Sequence, residues 1–343
     1  MDKNSQQIKQ SAKMNCILCA GTAELRTTEQ KGYVEPDIFS IYHCYDCNTA
    51  FSIPRIDASI IYDLIYQAGS KVPGYDRYWN FAKMVKKKKK PLKYLANKEE
   101  AYWGIEQVLN KMLHIDKNAK ILEIGSGLGY LTYSLIKDGF VNTKGIDISQ
   151  EAVDNANTRY GNFYIQADIL EYSKSHSNEF DVIILTEVIE HIEEPLKFLN
   201  SLKNLIKNTG IVILTTPNKS FFSKETIWQT DPPPVHCWWF SEDSINFFAK
   251  KLNMQPNFVD FKSFKIQRYV LKNRELGYVF NKNKQLNEKK NEGFLPKWLK
   301  ETKLYRDFLI KSKIYQFLLV SIDGKKYIKT KNISSTLCAY LTK

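Results

Sequence analysis

Ile121-Leu122-Glu123-Ile124-Gly125-Ser126-Gly127-Leu128-Gly129 is the stretch on which the reading of this chain turns. An apolar run ends in an acid and then passes through three glycines into a helical pattern. Such a turn brings backbone close to a ligand, with the next helix's N-terminus behind it. A dinucleotide fingerprint requires glycine at position 130, where this chain has Tyr130, so the spacing is GxGxG and not GxGxxG. Glu123, just before the turn, is an acceptor suited to an ammonium group and not to a pyrophosphate. The ligand implied is cationic and amino-acid-like at one end.

Further strand-like runs follow in order. Lys144-Gly145-Ile146-Asp147-Ile148-Ser149 ends in an acid about one βαβ unit beyond the glycines, where a carboxylate can accept from both hydroxyls of a ribose. Phe163 to Ile169 carries Asp168 near its end, Phe180 to Glu187 carries Glu187, and Ile211 to Asn218 closes on Pro217. Helical periodicity lies between them, at Ile105, Val108, Leu109, Met112 and Leu113, and again at Leu196, Leu199, Leu202 and Ile206. One strand-end acid by itself is best read as a helix cap. Three in order after a GxGxG turn form a set.

That set resembles the class I S-adenosylmethionine-dependent methyltransferases, over residues 99–265 and the C-terminal tail. The resemblance implies an α/β, Rossmann-like, seven-stranded sheet with strand seven antiparallel. It implies S-adenosylmethionine held by Glu123, Gly125, Ser126, Gly127, Gly129, Asp147, Ile148, Asp168, Ile169 and Glu187, with Asp168 beside the adenine amino group. Residues 257–266 read as strand six and Ser334 to Leu341 as strand seven. About sixty residues separate them, too many for a hairpin turn, which predicts an insertion over 267–330 before a final core strand in 331–343. Within it, Asn281 to Glu292 has the composition of a disordered stretch. Trp298, Leu299, Tyr305, Phe308, Leu309, Tyr315, Phe317 and Leu318 pattern as a basic amphipathic helix packed on its own domain.

Ahead of the core, Cys16-x-x-Cys19 and Cys44-x-x-Cys47 make two turns whose thiolates can close a tetrahedral Cys₄ site. Residues 1–55 therefore read as a zinc ribbon with a structural metal, with His43 a bystander and Cys237 and Cys338 free thiols. Residues 56–98 hold an aromatic helical segment with Tyr62, Tyr66, Tyr75, Tyr78, Trp79 and Phe81, placed to cover the site, and then the lysine run 86–90. That run is a solvated linker or a phosphate-facing rim. Net charge is +13, which fits an anionic partner or a lysine-rich composition equally. No apolar run approaches a membrane span and residues 1–13 lack a signal-peptide core, so a cytoplasmic protein is expected.

Methyl transfer is an in-line displacement that needs the acceptor atom aligned and, for an alcohol or amine, its proton removed. His236 is the first choice of base, since an unperturbed imidazole titrates near neutrality, with His191 and Glu187 beside it. A sharper reading places a divalent metal on Glu187, Glu190, His191 and His236, similar to the metal-dependent ubiquinone-biosynthesis O-methyltransferases and to RNA 3′-terminal 2′-O-methyltransferases. The ribbon, the Pro-Pro-x-His segment and Trp238-Trp239-Phe240 resemble methyltransferases of bacterial glycan and natural-product sugar biosynthesis. A hydroxyl of a sugar, sugar nucleotide or related small metabolite is then the expected acceptor, with the aromatic segment stacking on the sugar. RNA is the alternative acceptor, and a non-catalytic S-adenosylmethionine-binding scaffold is the alternative that is not an enzyme.

Overall fold

Short parallel runs rich in Ile, Leu and Val, each followed by a helix, build a sheet buried on both faces. The computed structural model describes residues 12–33, 37–56, 58, 61, 76–221, 232–264 and 334–343. Met1–Val259 with Ser334–Lys343 forms one compact unit, and Asp260–Ile333 a second.

The first unit opens with strands β1 (Lys13–Asn15), β2 (Thr22–Lys31), β3 (Ile38–Cys44) and β4 (Thr49–Ile53). Helices α1 (Asp76–Val85), α2 (Pro91–Ala96) and α3 (Glu100–Gln107, continued by a π-helical turn over Val108–Met112) lead into the core. The core runs β5 (Ile121–Ile124), α4 (Tyr130–Lys137), β6 (Thr143–Asp147), α5 (Gln150–Tyr160), β7 (Tyr164–Gln166), α6 (Ile169–Ser175), β8 (Phe180–Thr186), α7 (Pro195–Leu205) and β9 (Ile206–Pro217). After it come β10 (Trp238–Trp239), α8 (Glu242–Leu252), β11 (Gln255–Phe258) and β12 (Thr336–Thr342).

The core sheet has seven strands in the order β11-β12-β9-β8-β5-β6-β7. Neighbours from β9 to β7 pair in parallel, whereas β12 lies antiparallel between β9 and β11. This is the expected seven-stranded topology with its last strand reversed. Ser241 caps α8 in a capping box with Ser244, and Glu242 and Asp243 fill the first turn, a start that serine followed by two acids encodes locally. Strand six is shorter than its apolar pattern: it is four residues long, Gln255–Phe258, and does not run to 266. Val259 N–H makes a last bond to the Cys338 carbonyl, and then the Asp260 carboxylate accepts from Lys262 N–H, a local turn that competes with the ladder. The expected insertion over 267–330, with its polar and amphipathic stretches, lies outside the described residues, as do Tyr62, Tyr66 and Tyr75.

The N-terminal sheet has the order β1-β2-β3-β4-β10. Its fifth strand comes from the loop after β9, with Trp238 opposite Phe51 and Trp239 opposite Ala50. Thr49 Oγ1 also meets Ser244 Oγ at 2.7 Å, and one buried apolar cluster runs from Cys44 and Phe51 through Trp238 and Phe240 to Leu214 and Leu337. The N-terminal sheet and the core thus share a hydrophobic interior.

Candidate active site

The carboxyl ends of β5, β6 and β8 converge, as expected where ligands of open α/β sheets bind. Gly125 and Gly129 have φ of +69° and +77°. A Cβ on Gly125 would stand 2.7 Å from Val188 Cγ2, and one on Gly129 2.8 Å from the Ala156 Cβ, so both positions need glycine for shape as well as backbone. Tyr130, at the start of α4, puts its hydroxyl against that of Tyr102 and its ring edge-on to Phe81 of α1, 6.0 Å between centroids.

Asp147 Oδ2 accepts from Gly127 N–H at 2.7 Å and Oδ1 from Ser149 N–H at 3.0 Å. Each oxygen keeps a lone pair for a further donor. Asp168 caps α6, and both of its bonds, from Leu170 and Glu171 N–H, go to Oδ1. Ile148 is 70% exposed at this end of the sheet while Ile169 is buried. Ser126 Oγ is buried over Gly145 without a partner among the described residues, a polar atom that a water or ligand would satisfy.

Glu123 is buried and its carboxylate accepts from Thr132 of α4, so it ties the turn to the helix behind it. Burial, opposed by the Thr132 bonds, pushes this carboxyl up to about 8. Above its unfolded value of 4.5, the folded chain therefore holds a proton there that the unfolded chain has released. This contribution to stability is complete below pH 4.5 and is lost as pH rises toward about 8. Glu123→Gln is expected to flatten the fall of melting temperature between pH 6 and 8 in the ligand-free protein. An identical slope in the two proteins would assign that pH dependence elsewhere.

Glu187 follows β8 with φ +53°, a strained conformation for a non-glycine residue at a strand end. Its amide donates to the Thr215 carbonyl. Burial first, and then Glu187 and Glu99, push the Tyr78 phenol up to about 12 against the pull of Arg77. Arg77, Tyr102 and Thr132 thus belong to this region although no motif marks them, beside Tyr78 of the aromatic segment expected to cover the site. The apolar periodicity of α1, with Phe81, Ala82 and Val85 buried, is the signal that could have docked it here.

Beyond Glu187, one turn (Ile189–His191) meets the loop that carries His236. Glu190, His191 and His236 offer ligand atoms that all lie within 4.8 Å of one another. Glu187, counted with them from the sequence, is not part of this cluster. His191 Nδ1 donates to the Val235 carbonyl at 2.7 Å, which makes Nε2 its basic nitrogen. Glu190 Oε2 accepts from Thr216 Oγ1 at 3.0 Å. His236 stacks edge-on to His191, 4.7 Å between centroids, and is only 6% exposed. Burial, with His191 beside it, holds its pKa well below 6.5. That lowering keeps the imidazole neutral and makes it a weaker proton acceptor than the unperturbed ring on which the choice of His236 as base rests.

Trp238, Trp239 and Phe240 are also buried. Trp238 stacks on Phe240 at 5.7 Å and donates Nε1–H to the Ile192 carbonyl, with the Arg55 guanidinium 4.2 Å from its ring centroid. These rings are core, and the expectation that they stack on a sugar is corrected accordingly.

In the ribbon, Cys16 and Cys47 place their sulfurs 3.8 Å apart and Cys19 and Cys44 3.5 Å. A tetrahedron with Zn–S bonds of about 2.3 Å has edges of about 3.8 Å, so the four thiols fit zinc. Leu18 and Gly21 N–H each reach a sulfur at 3.4 Å, and Ala20 and Asn48, one after each pair, have positive φ. His43 Nε2 instead meets Asn48 Oδ1 at 3.1 Å, beside the knuckle and outside the thiol set. Cys237 and Cys338 are free and buried.

Residues 97–255 match the family described as a methyltransferase domain. With the sheet order and the glycine turn, this segment is a class I S-adenosylmethionine-dependent methyltransferase domain. Similar curated proteins are the mitochondrial ubiquinone biosynthesis O-methyltransferase of Dictyostelium discoideum, 27% identical over 43% of this chain and 52% of that protein, and the ubiquinone biosynthesis O-methyltransferase of Actinobacillus pleuropneumoniae serotype 7, 31% identical over 29% and 47%. The chain spans about half the length of these relatives. Among solved structures it is similar to a SAM-dependent methyltransferase from Archaeoglobus fulgidus, at 14% identity and a TM-score of 0.41 over 70% of this chain and 93% of that one. No helix among the described residues is long and apolar enough to cross a membrane.

Proposed function

We propose that the chain transfers the methyl group of S-adenosylmethionine to a hydroxyl of a small molecule, with His191 as the base that takes the hydroxyl proton. The observation that carries this reading is the Nδ1 bond from His191 to the Val235 carbonyl, which orients the ring and leaves Nε2 basic at the carboxyl end of β8. The curated relatives are named for O-methyl transfer, which supports oxygen as the accepting atom. His236 and Glu187 then frame the ring and the strand end and do not take the proton. A sugar or sugar nucleotide remains the acceptor class favoured by the likeness of the ribbon and the Pro-Pro-x-His segment, without support from the buried tryptophans.

When bound, S-adenosylmethionine supplies an electrophilic methyl on a sulfonium and needs no activation by the protein. Asp147 accepts from its ribose, Asp168 Oδ2 and Ile148 meet its adenine, and the 125–129 turn admits its methionine end. Calorimetry with Asp147→Ala is expected to show S-adenosylmethionine binding weakened by ~1–2 kcal/mol, the loss of hydrogen bonds to a charged acceptor. Unaltered affinity would remove Asp147 from the site.

The clustering of Glu190, His191 and His236 favours a second version, in which these three hold a divalent cation. Two neutral imidazoles and a carboxylate suit such an ion, which would supply acidification of a bound hydroxyl. Mild chelation that spares the ribbon separates the two: activity that disappears and returns with magnesium or manganese supports the cation, and activity that persists supports His191 alone. The four ribbon cysteines hold a structural zinc in either version.

A further inference from the structure

A cleft of ≈ 540 Å³ is lined, among the described residues, by Trp79, Asn80, Ala82, Lys83 and Lys86 of α1 and the turn after it, and by Arg159 near the end of α5. We propose that this cleft binds a nucleotide, stacking its base on Trp79 and taking its phosphate on Lys83, Lys86 and Arg159.

The two faces of α1 divide its work. Phe81 and Val85 are buried, with Phe81 against Tyr130. Trp79, Lys83 and Lys86, at i, i+4 and i+7, form a separate stripe that faces the cleft. Lys83 is five residues beyond Tyr78, about 7.5 Å along a helix at 1.5 Å per residue, so the basic end of the cleft is set off from the Tyr78 end of α1. Its walls are clamped together: Tyr160 O–H donates to the Ala82 carbonyl at 2.7 Å, and Lys86 Nζ donates to the Arg159 carbonyl at 3.1 Å.

The electrostatics select an anion. Among the described residues the cleft is lined by three cations and no carboxylate. Among the described residues every ion pair is made by other side chains, so Lys83, Lys86 and Arg159 are not neutralised by acids there. Lys87 to Lys90 follow immediately and add to the positive potential. The aromatic wall selects more than a phosphate. Trp79 is half-buried, with the Arg159 guanidinium 5.7 Å from its ring centroid, a pairing that serves base and phosphate together. Asn80 adds an amide able to donate to and accept from a base edge. The volume suits a nucleotide, whereas a lone phosphate would leave most of it empty.

The ligand chemistry is that of a free nucleotide or of one unit of an RNA strand, and titration calorimetry on the full chain distinguishes them. The probes are uridine diphosphate, a single-stranded RNA of about ten nucleotides, and inorganic pyrophosphate as a ligand without a base. At least one of the first two is expected to bind tenfold or more tightly than pyrophosphate. Arg159→Glu and Lys86→Glu should each weaken it at least tenfold, and Trp79→Ala should erase the margin over pyrophosphate. S-adenosylmethionine affinity should not change in Arg159→Glu. Binding of the diphosphate assigns a free nucleotide, and binding of RNA alone, with steep salt dependence, assigns a strand. Equal affinity for pyrophosphate, no binding of either nucleotide probe, or wild-type affinity in Arg159→Glu and Lys86→Glu would overturn the proposal. Methyl transfer is not measured, so the result is independent of the acceptor chemistry proposed above.

Discussion

His191→Gln lowers turnover by roughly 10²–10⁴-fold while S-adenosylmethionine binds as before; that is the expected result of removing a general base that does not touch the cofactor. Glutamine puts a neutral amide near the Nε2 position, and the parallel variant His191→Asn keeps a donor at the Nδ1 position toward the Val235 carbonyl. A similar loss in both variants assigns the effect to the basic nitrogen and not to release of the loop. The companion variant His236→Gln separates the versions of the mechanism. If His191 acts alone, a buried neutral neighbour is a packing element, and its replacement costs less than that of His191. If the two imidazoles share a cation with Glu190, the two variants lose activity equally and added metal rescues neither. Wild-type turnover in His191→Gln would remove this residue from the chemistry in both versions.

Cys44→Ser is expected to abolish the bound zinc and, with it, most of the catalytic rate. Structural zinc contributes folding free energy directly, so the ribbon strands should lose protection from hydrogen exchange over residues 12–56. The effect should not stop there. Strand β4 pairs with Trp238 and Trp239, Phe51 packs on Trp238 at 5.8 Å, and Ser52 N–H donates to the Cys237 carbonyl. Release of that edge loosens the loop that presents Val235 to His191. Displacements of about an ångström at a reacting group can cost about 10²-fold, so a fall of that order is expected while the cofactor, held at the other strands, still binds. Stoichiometric zinc in the wild type, measured by metal analysis, is the first requirement. Full turnover in a zinc-free Cys44→Ser protein would show that the ribbon does not support the catalytic loop.

The glycine turn, the strand-end acids and the paired Cys-x-x-Cys turns were legible because each is local: a few neighbouring residues carry the whole physical reason. The cap at Ser241 was legible for the same cause. The loop around His236 was not. Its sequence is aromatic and proline-rich, which describes a rigid exposed rim as well as a buried one. Which of the two it becomes depends on β4, almost two hundred residues earlier. Burial of His236 likewise requires the turn at Ile189–His191, β9 and that loop to meet, and an unperturbed imidazole pKa cannot anticipate it. Strand six illustrates a smaller failure: Phe261 and Phe264 prolong the apolar pattern, while the Asp260 turn after Phe258 ends the ladder. In α1 the helical period is plain, but the separate roles of its two stripes emerge only once Tyr130 and Arg159 are seen on different sides of it.

The placement of β12 has a bearing on how this protein is born. It follows the other strands of its sheet in sequence and yet is an interior one, paired with β9 over Thr336–Thr342 and with β11 over Ala339–Thr342. Until residue 342 has left the ribosome, β9 has an open hydrogen-bonding edge backed by buried Val212 and Leu214, and β11 has no partner in the sheet. Such an edge is a template for pairing with other nascent chains. The half from β5 to β9 can assemble during synthesis, whereas the sheet closes only afterwards, by insertion of a strand between two others. Emergence of β12 is thus a committed step between a sticky half-sheet and a sealed one.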